Sequence, residues 1–317
     1  MNGIPQRKIT VVGAGFVGMT CAQLAAQRNL ASEIVLIDLL EGRPQGIALD
    51  LNQAAAIEGN GARVMGTNDP TDTYGSDLVI MTAGKPRTPG MSRSDLLETN
   101  GRVISAVAEY IRSGSPDAIV IVVTNPLDVM TQLMRSKLGF PASRVMGMAG
   151  VLDSARFSWF IADHLKVSVQ DVDAMVLGAH GDSMVPMPKY CTVNGVGLPD
   201  LTTPAAIEEL SNRTRHGGAE IVGLLKTGSA YYAPAAAAVQ MASSILGDER
   251  RLLPACCLLN GHFGFEGITM GVPAILGAGG VESIVEVPLE SESRALLQKT
   301  AGAIQADIET LRQAGLF

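Results

Sequence analysis

A loop with several cations carries the first residues that suggest chemistry. Thr82–Arg93 reads TAGKPRTPGMSR and places Lys85, Arg87 and Arg93 among glycines and prolines. It follows the apolar run Leu78–Met81, which is typical of a buried strand. Two arginines in one loop suggest an anionic small molecule as ligand. Taken alone, the stretch is better explained as a solvated basic loop. The other motifs of the chain must therefore decide whether it binds a ligand.

His180 is the candidate for proton transfer. It lies between glycines in Leu177–Asp182 (LGAHGD), just after an apolar strand pattern. Histidine suits this work because its pKa is close to neutral pH. In isolation such a residue is more often an ordinary turn histidine. The other histidines have weaker settings, in two helical patterns and a turn: His164, His216 and His262.

Asp153 and Arg156 form a third candidate group, in the segment VLDSARF. Residues three apart share one face of a helix. One interpretation is a surface ion pair, which contributes only a few tenths of a kcal/mol. The other is a carboxylate that orients an imidazole, beside a guanidinium that binds a substrate carboxylate bidentately. The spacing leaves both interpretations open.

A glycine-rich turn near the N-terminus predicts a dinucleotide site. The β-branched run at residues 8–12 stops at Gly13, and Gly15 and Gly18 complete a GxGxxG pattern before a helix predicted over residues 19–29. A second apolar run, residues 34–37, ends in Asp38. A strand, glycine turn, helix and strand with an acid at this spacing are strong evidence for dinucleotide binding.

Each residue of this motif has a physical role. Gly13 permits the tight turn, Gly15 lets a pyrophosphate approach the backbone, and Gly18 lets the helix pack closely on the sheet. The phosphates then meet unpaired N–H groups at the helix N-terminus. Asp38 accepts hydrogen bonds from ribose hydroxyls and repels a 2′-phosphate. Because the next residues, Leu39 and Leu40, supply no cation, NAD is predicted rather than NADP.

Strands and helices alternate up to about residue 148. Apolar strands with intervening helices predict a parallel, doubly wound α/β (Rossmann) sheet, with ligands beyond the C-terminal ends of its strands. After residue 148 the alternation stops, and an α+β lobe is expected, with a strand at residues 172–177 and a tight turn at Asn194-Gly195. We therefore predict a dinucleotide-binding domain at 1–148 and a substrate domain at 149–317, tightly packed because no linker composition separates them. The predicted strands of the first domain are residues 8–12, 34–37, 63–65, 78–81, 118–123 and 144–147, and the predicted helices are 19–29, 45–58, 94–113 and 127–138.

Composition narrows the class of protein. The chain has 317 residues, 47% of them hydrophobic, and a net charge of −7 without any Lys/Arg cluster. This argues against nucleic acid or an anionic membrane as partner. No apolar run approaches the roughly 20 residues of a membrane span, and a strand begins too early for a signal peptide, so a cytoplasmic protein is expected. The four cysteines lack metal-site spacing, so core thiols and no metal are expected.

The motifs VGAGFVG, TAGKPRTPGMSR, VTNPLD, VLDSARF and LGAHGD, together with Asp38, occur in this order along the chain. In this combination the sequence resembles the NAD-dependent lactate/malate dehydrogenases over essentially its whole length. The likeness is particularly close to the malate dehydrogenases that are similar to lactate dehydrogenase in sequence. The resemblance implies hydride transfer between NAD and a 2-hydroxy acid.

The resemblance also implies roles for single residues. His180 would be the acid/base, Asp153 its orienting partner, and Arg93 the residue that polarises the carbonyl after the loop closes. Arg156 would bind the C1 carboxylate, and Asn125 would contact both substrate and nicotinamide. The cofactor-binding set is Gly13, Gly15, Phe16, Val17, Gly18, Asp38, Thr82, Ala83, Gly84, Asn100, Val123 and Asn125.

The resemblance implies that substrate choice depends on Arg87. In the resembled family this position carries glutamine in lactate dehydrogenases and arginine in malate dehydrogenases. An arginine facing the methyl group of pyruvate would be a buried, unpaired cation, whereas the distal carboxylate of oxaloacetate pairs with it. Ala230 aligns where the lactate enzymes typically have threonine. The sequence thus predicts a malate dehydrogenase of the tricarboxylic acid cycle, with lactate dehydrogenase and a non-catalytic NAD-binding redox sensor as alternatives.

The resemblance further implies a homo-oligomer, with a tetramer favoured over a dimer. The helix predicted at residues 45–58 and parts of the second lobe are candidates for the subunit interface.

Overall fold

The structure is a computed structural model that describes residues 4–85 and 92–317. The strands in these residues are β1 (Lys8–Val12), β2 (Glu33–Ile37), β3 (Arg63–Thr67), β4 (Leu78–Met81), β5 (Ile119–Val122), β6 (Val145–Gly147), β7 (Val172–Asp173), β8 (Val176–Gly178), β9 (Met184–Pro186), β10 (Thr192–Val193), β11 (Val196–Gly197), β12 (Arg251–Asn260), β13 (Glu266–Gly277) and β14 (Gly280–Ile284). The α-helices are α1 (Phe16–Gln27), α2 (Arg43–Glu58), α3 (Arg93–Gly114), α4 (Leu127–Leu138), α5 (Gly150–Leu165), α6 (Leu198–Leu201), α7 (Pro204–Leu225), α8 (Tyr232–Leu246) and α9 (Ser291–Gln313).

The first six strands form the predicted parallel sheet. Their order is β3-β2-β1-β4-β5-β6, which is the order of a doubly wound dinucleotide-binding fold. β4 and β5 are buried at every residue, as expected for strands covered by helices on both faces. The order reverses between β1 and β4, so the loops after these strands diverge and leave a crevice at the C-terminal edge. The predicted fold class is confirmed.

Most strands of the second lobe extend the sheet of the first lobe, while β7, β10 and β11 form a separate three-stranded sheet. β12 pairs antiparallel with β6 through Cys256 and Gly147, and β13, β8 and β9 extend the same sheet. The two halves therefore share one continuous sheet, which explains why no linker composition marks their junction. The domain boundary near residue 148 stays a prediction.

One predicted strand is wrong. Residues 172–177 were expected to be continuous, but they divide into β7 and β8, which belong to different sheets. Hydrophobic periodicity alone could not locate this break, because β7 and β8 each contain a buried valine. The predicted tight turn at Asn194-Gly195 is confirmed: both residues have positive φ, and Val193 and Val196 pair across it.

The start of the first helix also differs from the expectation. α1 begins at Phe16 rather than Met19, directly after Gly15. Its first N–H groups therefore belong to the glycine motif itself. All four cysteines are buried free thiols, as predicted. None of the helices in residues 4–85 and 92–317 combines the length and hydrophobicity needed to cross a membrane.

Candidate active site

The glycine turn joins β1 to α1 and leaves open space where a cofactor phosphate is expected. Gly13 has a φ of +101°, and a Cβ there would lie 2.8 Å from the backbone of Ala83. A Cβ on Gly18 would lie 1.8 Å from the carbonyl oxygen of Gly13. A Cβ on Gly15, in contrast, would meet nothing within 4 Å. The outer two glycines therefore allow close packing, and Gly15 keeps the backbone accessible, which fits the pyrophosphate of NAD.

Asp38 follows β2, as predicted, and its carboxylate is already engaged. Its Oδ2 accepts a hydrogen bond from the Ala14 N–H at 2.6 Å, and its Oδ1 accepts one from the Leu40 N–H at 2.9 Å. Each carboxylate oxygen can accept a further hydrogen bond. The side chain therefore fixes the glycine turn and retains capacity for the ribose hydroxyls.

The loops after β4 and β5 are joined by side-chain hydroxyls. Thr82 Oγ1 donates to the carbonyl oxygen of Val12 at 2.8 Å, and Thr124 Oγ1 donates to that of Ala83 at 2.7 Å. A Cβ on Gly84 would lie 2.6 Å from Thr124 Cγ2, so the two loops approach closely. These residues lie beside the glycine turn, where Thr82, Ala83 and Gly84 were predicted to contact the cofactor.

Asn100 lies in α3 and holds both loops. The residue is 2% exposed; its Oδ1 accepts from the Lys85 N–H at 2.7 Å and its Nδ2 donates to the Asn125 carbonyl oxygen at 2.7 Å. Its amide thus connects two loops of the predicted cofactor site. The side chain of Asn125 has no hydrogen-bond partner among the described residues and remains free for a ligand. Val123 follows β5 directly and is buried.

The first turn of α1 meets the second lobe through an aromatic contact. Phe16, half exposed, stacks on Tyr231 with ring centroids 5.2 Å apart, while Val17 packs against the core. Tyr231 immediately precedes α8 and follows Ala230. The segment that contains Ala230 therefore borders the same cleft as the glycine turn.

Two predicted catalytic residues and one predicted substrate-binding residue come together, with Asp153 between the other two. Asp153 Oδ2 lies 2.9 Å from His180 Nδ1, and Asp153 Oδ1 lies 3.2 Å from Arg156 Nη1. Side-chain exposure is 2% for Asp153, 13% for Arg156 and 14% for His180. The surface ion pair considered for Asp153 and Arg156 is thus wrong, because both side chains are buried. Since Asp153 occupies Nδ1, Nε2 is the ring nitrogen of His180 that has no hydrogen-bond partner among the described residues.

Burial and charge act in opposite directions on this group. Burial alone lowers the pKa of His180, but the charge of Asp153 and its hydrogen bond outweigh that effect and raise the pKa above its ordinary value. Burial also lowers the pKa of Arg156, against the opposing effect of Asp153. Arg156 Nε is buried without a hydrogen-bond partner among the described residues. A buried guanidinium with unused donors is suited to binding a carboxylate.

α7 leaves room beside this guanidinium. A Cβ on Gly217 would lie 3.4 Å from Arg156 Cδ, and one on Gly218 would lie 3.6 Å from Arg156 Nη2. The two glycines thus line Arg156, where longer side chains would fill the space that a substrate carboxylate needs.

Two residues not assigned from sequence hold the His180 segment in place. Ser154 Oγ accepts from the Val176 N–H at 3.0 Å, which ties α5 to β8. Asp128, in the first turn of α4, accepts from the His180 N–H with its Oδ2 at 2.9 Å. Burial raises the pKa of Asp128 to about 6, against the lowering effect of that N–H. The aspartate of VTNPLD was the available sequence signal, but nothing in its spacing linked it to His180.

Arg93 is not joined to these residues. It begins α3, and its Nε donates to Asp307 Oδ1 of α9 at 2.9 Å, with a second bond from Nη2 to Oδ2. The hydrogen bonds to Asp307 raise the pKa of Arg93. In this conformation Asp307 binds the guanidinium of Arg93, and the contact of Arg93 with a substrate carbonyl stays a prediction. Arg87, the predicted substrate selector, lies outside the described residues.

The other histidines lie elsewhere. His164 Nε2 contacts Thr202 Oγ1 at 2.9 Å, and His216 Nδ1 contacts the Asn212 carbonyl oxygen at 2.8 Å, both near the surface. His262 lies in a short 3-10 helix after β12. Of the four histidines, His180 alone faces a buried carboxylate.

Comparison with known proteins agrees with this geometry. Residues 7–147 match the family model described as lactate/malate dehydrogenase, NAD binding domain, and residues 150–314 match that of the alpha/beta C-terminal domain. A malate dehydrogenase from Roseiflexus castenholzii is 49% identical over 96% of this chain and 99% of its own length. A solved malate dehydrogenase structure from Salinibacter ruber has a TM-score of 0.93 at 47% identity, covering 96% of this chain and 98% of that one.

A lactate dehydrogenase structure from Cryptosporidium parvum, complexed with lactic acid and NAD, has a TM-score of 0.94 at 43% identity, covering 98% of this chain and 99% of that one. The proteins that are similar to this chain thus include enzymes of both names. Both family models match, and together they span nearly all of the sequence, so the chain belongs to the lactate/malate dehydrogenase family.

Proposed function

We propose that the protein is an NAD-dependent malate dehydrogenase that interconverts L-malate and oxaloacetate. The observation that carries this proposal is the buried group of His180, Asp153 and Arg156 in a chain that also has a dinucleotide-binding glycine turn. A proton donor and a carboxylate-binding cation are the two groups that reduction of a 2-oxo acid requires beside its cofactor.

The cofactor supplies the hydride when bound. His180 holds the proton on Nε2, because Nδ1 is directed at Asp153, and gives it to the carbonyl oxygen during reduction. In the oxidation of malate, neutral His180 accepts the hydroxyl proton at the same atom. Asp153 stabilises the charged imidazole and fixes its orientation. A non-catalytic redox sensor would have no need for this arrangement.

Arg156 binds the C1 carboxylate in this proposal. Its Nη1 is held by Asp153, and the unused donors of its guanidinium form the fork that a carboxylate accepts. Asn125, with its free amide, contacts the substrate and the nicotinamide. Arg93 leaves Asp307 and stabilises the charge that develops on the carbonyl oxygen.

Arg87 selects the dicarboxylate. The support is its residue type in the TAGKPRTPGMSR motif, since a buried arginine demands a second carboxylate. The malate dehydrogenase names of the relatives point the same way.

The deciding experiment is the ratio of kcat/KM for oxaloacetate to that for pyruvate, measured with NADH. We expect a strong preference for oxaloacetate; a preference for pyruvate would identify the protein as a lactate dehydrogenase. Arg87→Gln should shift the ratio toward pyruvate by about 100-fold or more, the effect of an unpaired charge in a closed site. Arg63→Gln, at the opposite edge of the sheet, is the matched control. An unchanged ratio in Arg87→Gln excludes contact with the distal carboxylate.

We also propose a homo-oligomer, with a tetramer favoured over a dimer. Support comes from α2, where Leu49 is 61% and Ile57 is 91% exposed, since large apolar side chains on one helix are typical of an interface. Light scattering of the protein and of Ile57→Asp tests this assembly. The cytoplasm is the proposed compartment, because four buried free thiols are suited to reducing conditions.

A further inference from the structure

An arginine outside the GxGxxG motif contacts the glycine turn. Arg43 begins α2, five residues after Asp38, and its Nε donates to the carbonyl oxygen of Ala14 at 2.7 Å. Ala14 is the residue between the first two glycines of the motif. The sequence offered no cation at Leu39 or Leu40, but the chain brings one back to this turn.

Asp38 and Arg43 hold opposite sides of the same residue. Asp38 accepts the Ala14 N–H, and Arg43 binds the Ala14 carbonyl oxygen. Within residues 4–85 and 92–317, the two side chains form no ion pair with each other, and both terminal nitrogens of Arg43 lack hydrogen-bond partners. The edge of the adenosine ribose site thus carries one negative charge and one uncommitted positive charge.

The position of Arg43 is set by the framework. A Cβ on Gly66 of β3 would lie 2.1 Å from the backbone of the first turn of α2, so this turn rests directly on the sheet. Gln45 Nε2 donates to Asn68 Oδ1 at 2.6 Å, and Asn68 Nδ2 donates to the Asp38 carbonyl oxygen at 2.6 Å. These contacts connect the start of α2 to the end of β2 and keep Arg43 beside Asp38.

The chemistry of this pair bears on cofactor choice. The acid at the end of the second strand binds the ribose 2′-hydroxyl of NAD, and an arginine nearby accommodates the 2′-phosphate of NADP. A guanidinium binds phosphate bidentately through its two terminal nitrogens. We infer that Arg43 is a specificity-determining residue for the cofactor and gives the enzyme NADP(H) as a second cofactor, with NAD(H) preferred because Asp38 remains. The same hydride transfer then runs with either nucleotide.

Binding of small probes tests this inference without turnover. Adenosine 2′,5′-bisphosphate and 5′-AMP differ only in the 2′-phosphate, and calorimetry gives the affinity of the full-length protein for each. Arg43→Gln should weaken the bisphosphate about tenfold more than 5′-AMP, since one charge-assisted hydrogen bond is worth about 1.5 kcal/mol or more. Arg43→Lys should give an intermediate loss. Arg63→Gln, which removes the same charge at the far end of β3, should not change the ratio.

Turnover with oxaloacetate supplies the second measurement. The ratio of kcat/KM for NADPH to that for NADH should fall about tenfold in Arg43→Gln. Asp38→Asn should raise the ratio, and by less when combined with Arg43→Gln. Equal weakening of both probes, or no change in either, would overturn the inference, because Arg43 would then act only through the turn or not at all. The turnover measurement, unlike the calorimetry, rests on the proposed function. Absence of turnover with any nucleotide would refute the malate dehydrogenase activity, and the calorimetric result would then decide the inference about Arg43.

Discussion

The two halves of the cleft are built from different kinds of groups. At the cofactor end, the glycine turn offers backbone N–H groups and space, and each outer glycine is fixed by backbone atoms within 3 Å of its missing Cβ. At the proposed catalytic end, the groups are the ionisable side chains of Asp153, Arg156 and His180, all less than 15% exposed. The cofactor end thus depends on glycines, which have no side chain, and the other end depends on buried ionisable side chains.

This difference has a physical origin. A bound phosphate keeps its charge throughout, and preformed backbone dipoles at a helix N-terminus suffice to hold it. Reduction of a carbonyl creates new charge and moves a proton, so the catalytic end needs groups that change charge or remain charged in a dry site. Substitutions at the two ends should therefore affect different properties of the protein.

The largest effect is expected for Asp153→Asn. The amide oxygen still accepts from His180 Nδ1, but the negative charge that raises the pKa of His180 is lost. We expect kcat/KM for oxaloacetate to fall by about 10²- to 10⁴-fold, the usual contribution of a positioned acid/base. The matched control is Asp163→Asn on the same helix, whose i,i+3 partner Lys166 is exposed. A similar loss in both variants would contradict the role given to Asp153.

The pH profile makes this prediction sharper. Reduction of oxaloacetate needs protonated His180, so kcat/KM should fall as the pH rises through the raised pKa of that residue. Without the charge of Asp153 the pKa decreases, and the descending limb of the Asp153→Asn profile should move to lower pH. An unmoved limb would show that another group titrates.

Arg156→Lys should have the next largest effect. Lysine keeps the charge but lacks the planar fork, so the bidentate contact with a C1 carboxylate is lost. KM for oxaloacetate should rise by about 10- to 100-fold, because one charged hydrogen bond contributes about 1.5–3 kcal/mol. Arg213→Lys, at an exposed pair with Glu220, serves as the control. If kcat falls while KM is unchanged, Arg156 acts on the chemical step and not on substrate binding.

A pair of identical substitutions separates function from folding at the cofactor end. Gly15→Ala places its Cβ in open space and should weaken NADH binding by about tenfold while the melting temperature stays close to that of the parent protein. Gly18→Ala drives its Cβ into the Gly13 carbonyl oxygen and should destabilise the fold by about 1–3 kcal/mol. Fluorescence titration and thermal unfolding measure the two effects. A loss of stability in Gly15→Ala would contradict the assignment of Gly15 to cofactor binding and of Gly18 to packing.

The same contrast explains what the sequence could predict. The glycine motif, Asp38 and the alternating strands are local signals, because a tight turn and a buried strand each demand particular residues at fixed spacing. His180, just after β8, and Asp153, in α5, lie 27 residues apart, and their 2.9 Å contact depends on how α5 packs on β8. Their pairing came from the family resemblance, not from spacing.

Two of the residues that were missed, Asp128 and Asp307, act over long separations in sequence. Asp128 reaches the His180 N–H across 52 positions, and Arg93 meets Asp307 across 214. Arg43 was missed although it is close in sequence, because the left-handed conformation of Gly42 and the docking of α2 decide where its side chain goes. The continuous sheet was equally hidden, since its junction rests on a single pairing between β6 and β12.

The smallest effect is expected at the contact between Arg93 and Asp307. The side chain of Arg93 is 65% exposed, and ion pairs that reach solvent contribute about 0.2–1 kcal/mol. In the proposed mechanism Arg93 must leave Asp307 to act on the substrate. Asp307→Asn lowers the free-energy cost of breaking this contact and should therefore raise kcat/KM for oxaloacetate by up to about fivefold. Glu309→Gln, which removes an exposed carboxylate two residues along α9, is the control. Arg93→Gln should lower kcat and make the Asp307→Asn substitution silent, because the two changes then act on one contact. An increase that survives without Arg93 would mean that Asp307 affects the enzyme through α9 itself and not by holding the arginine.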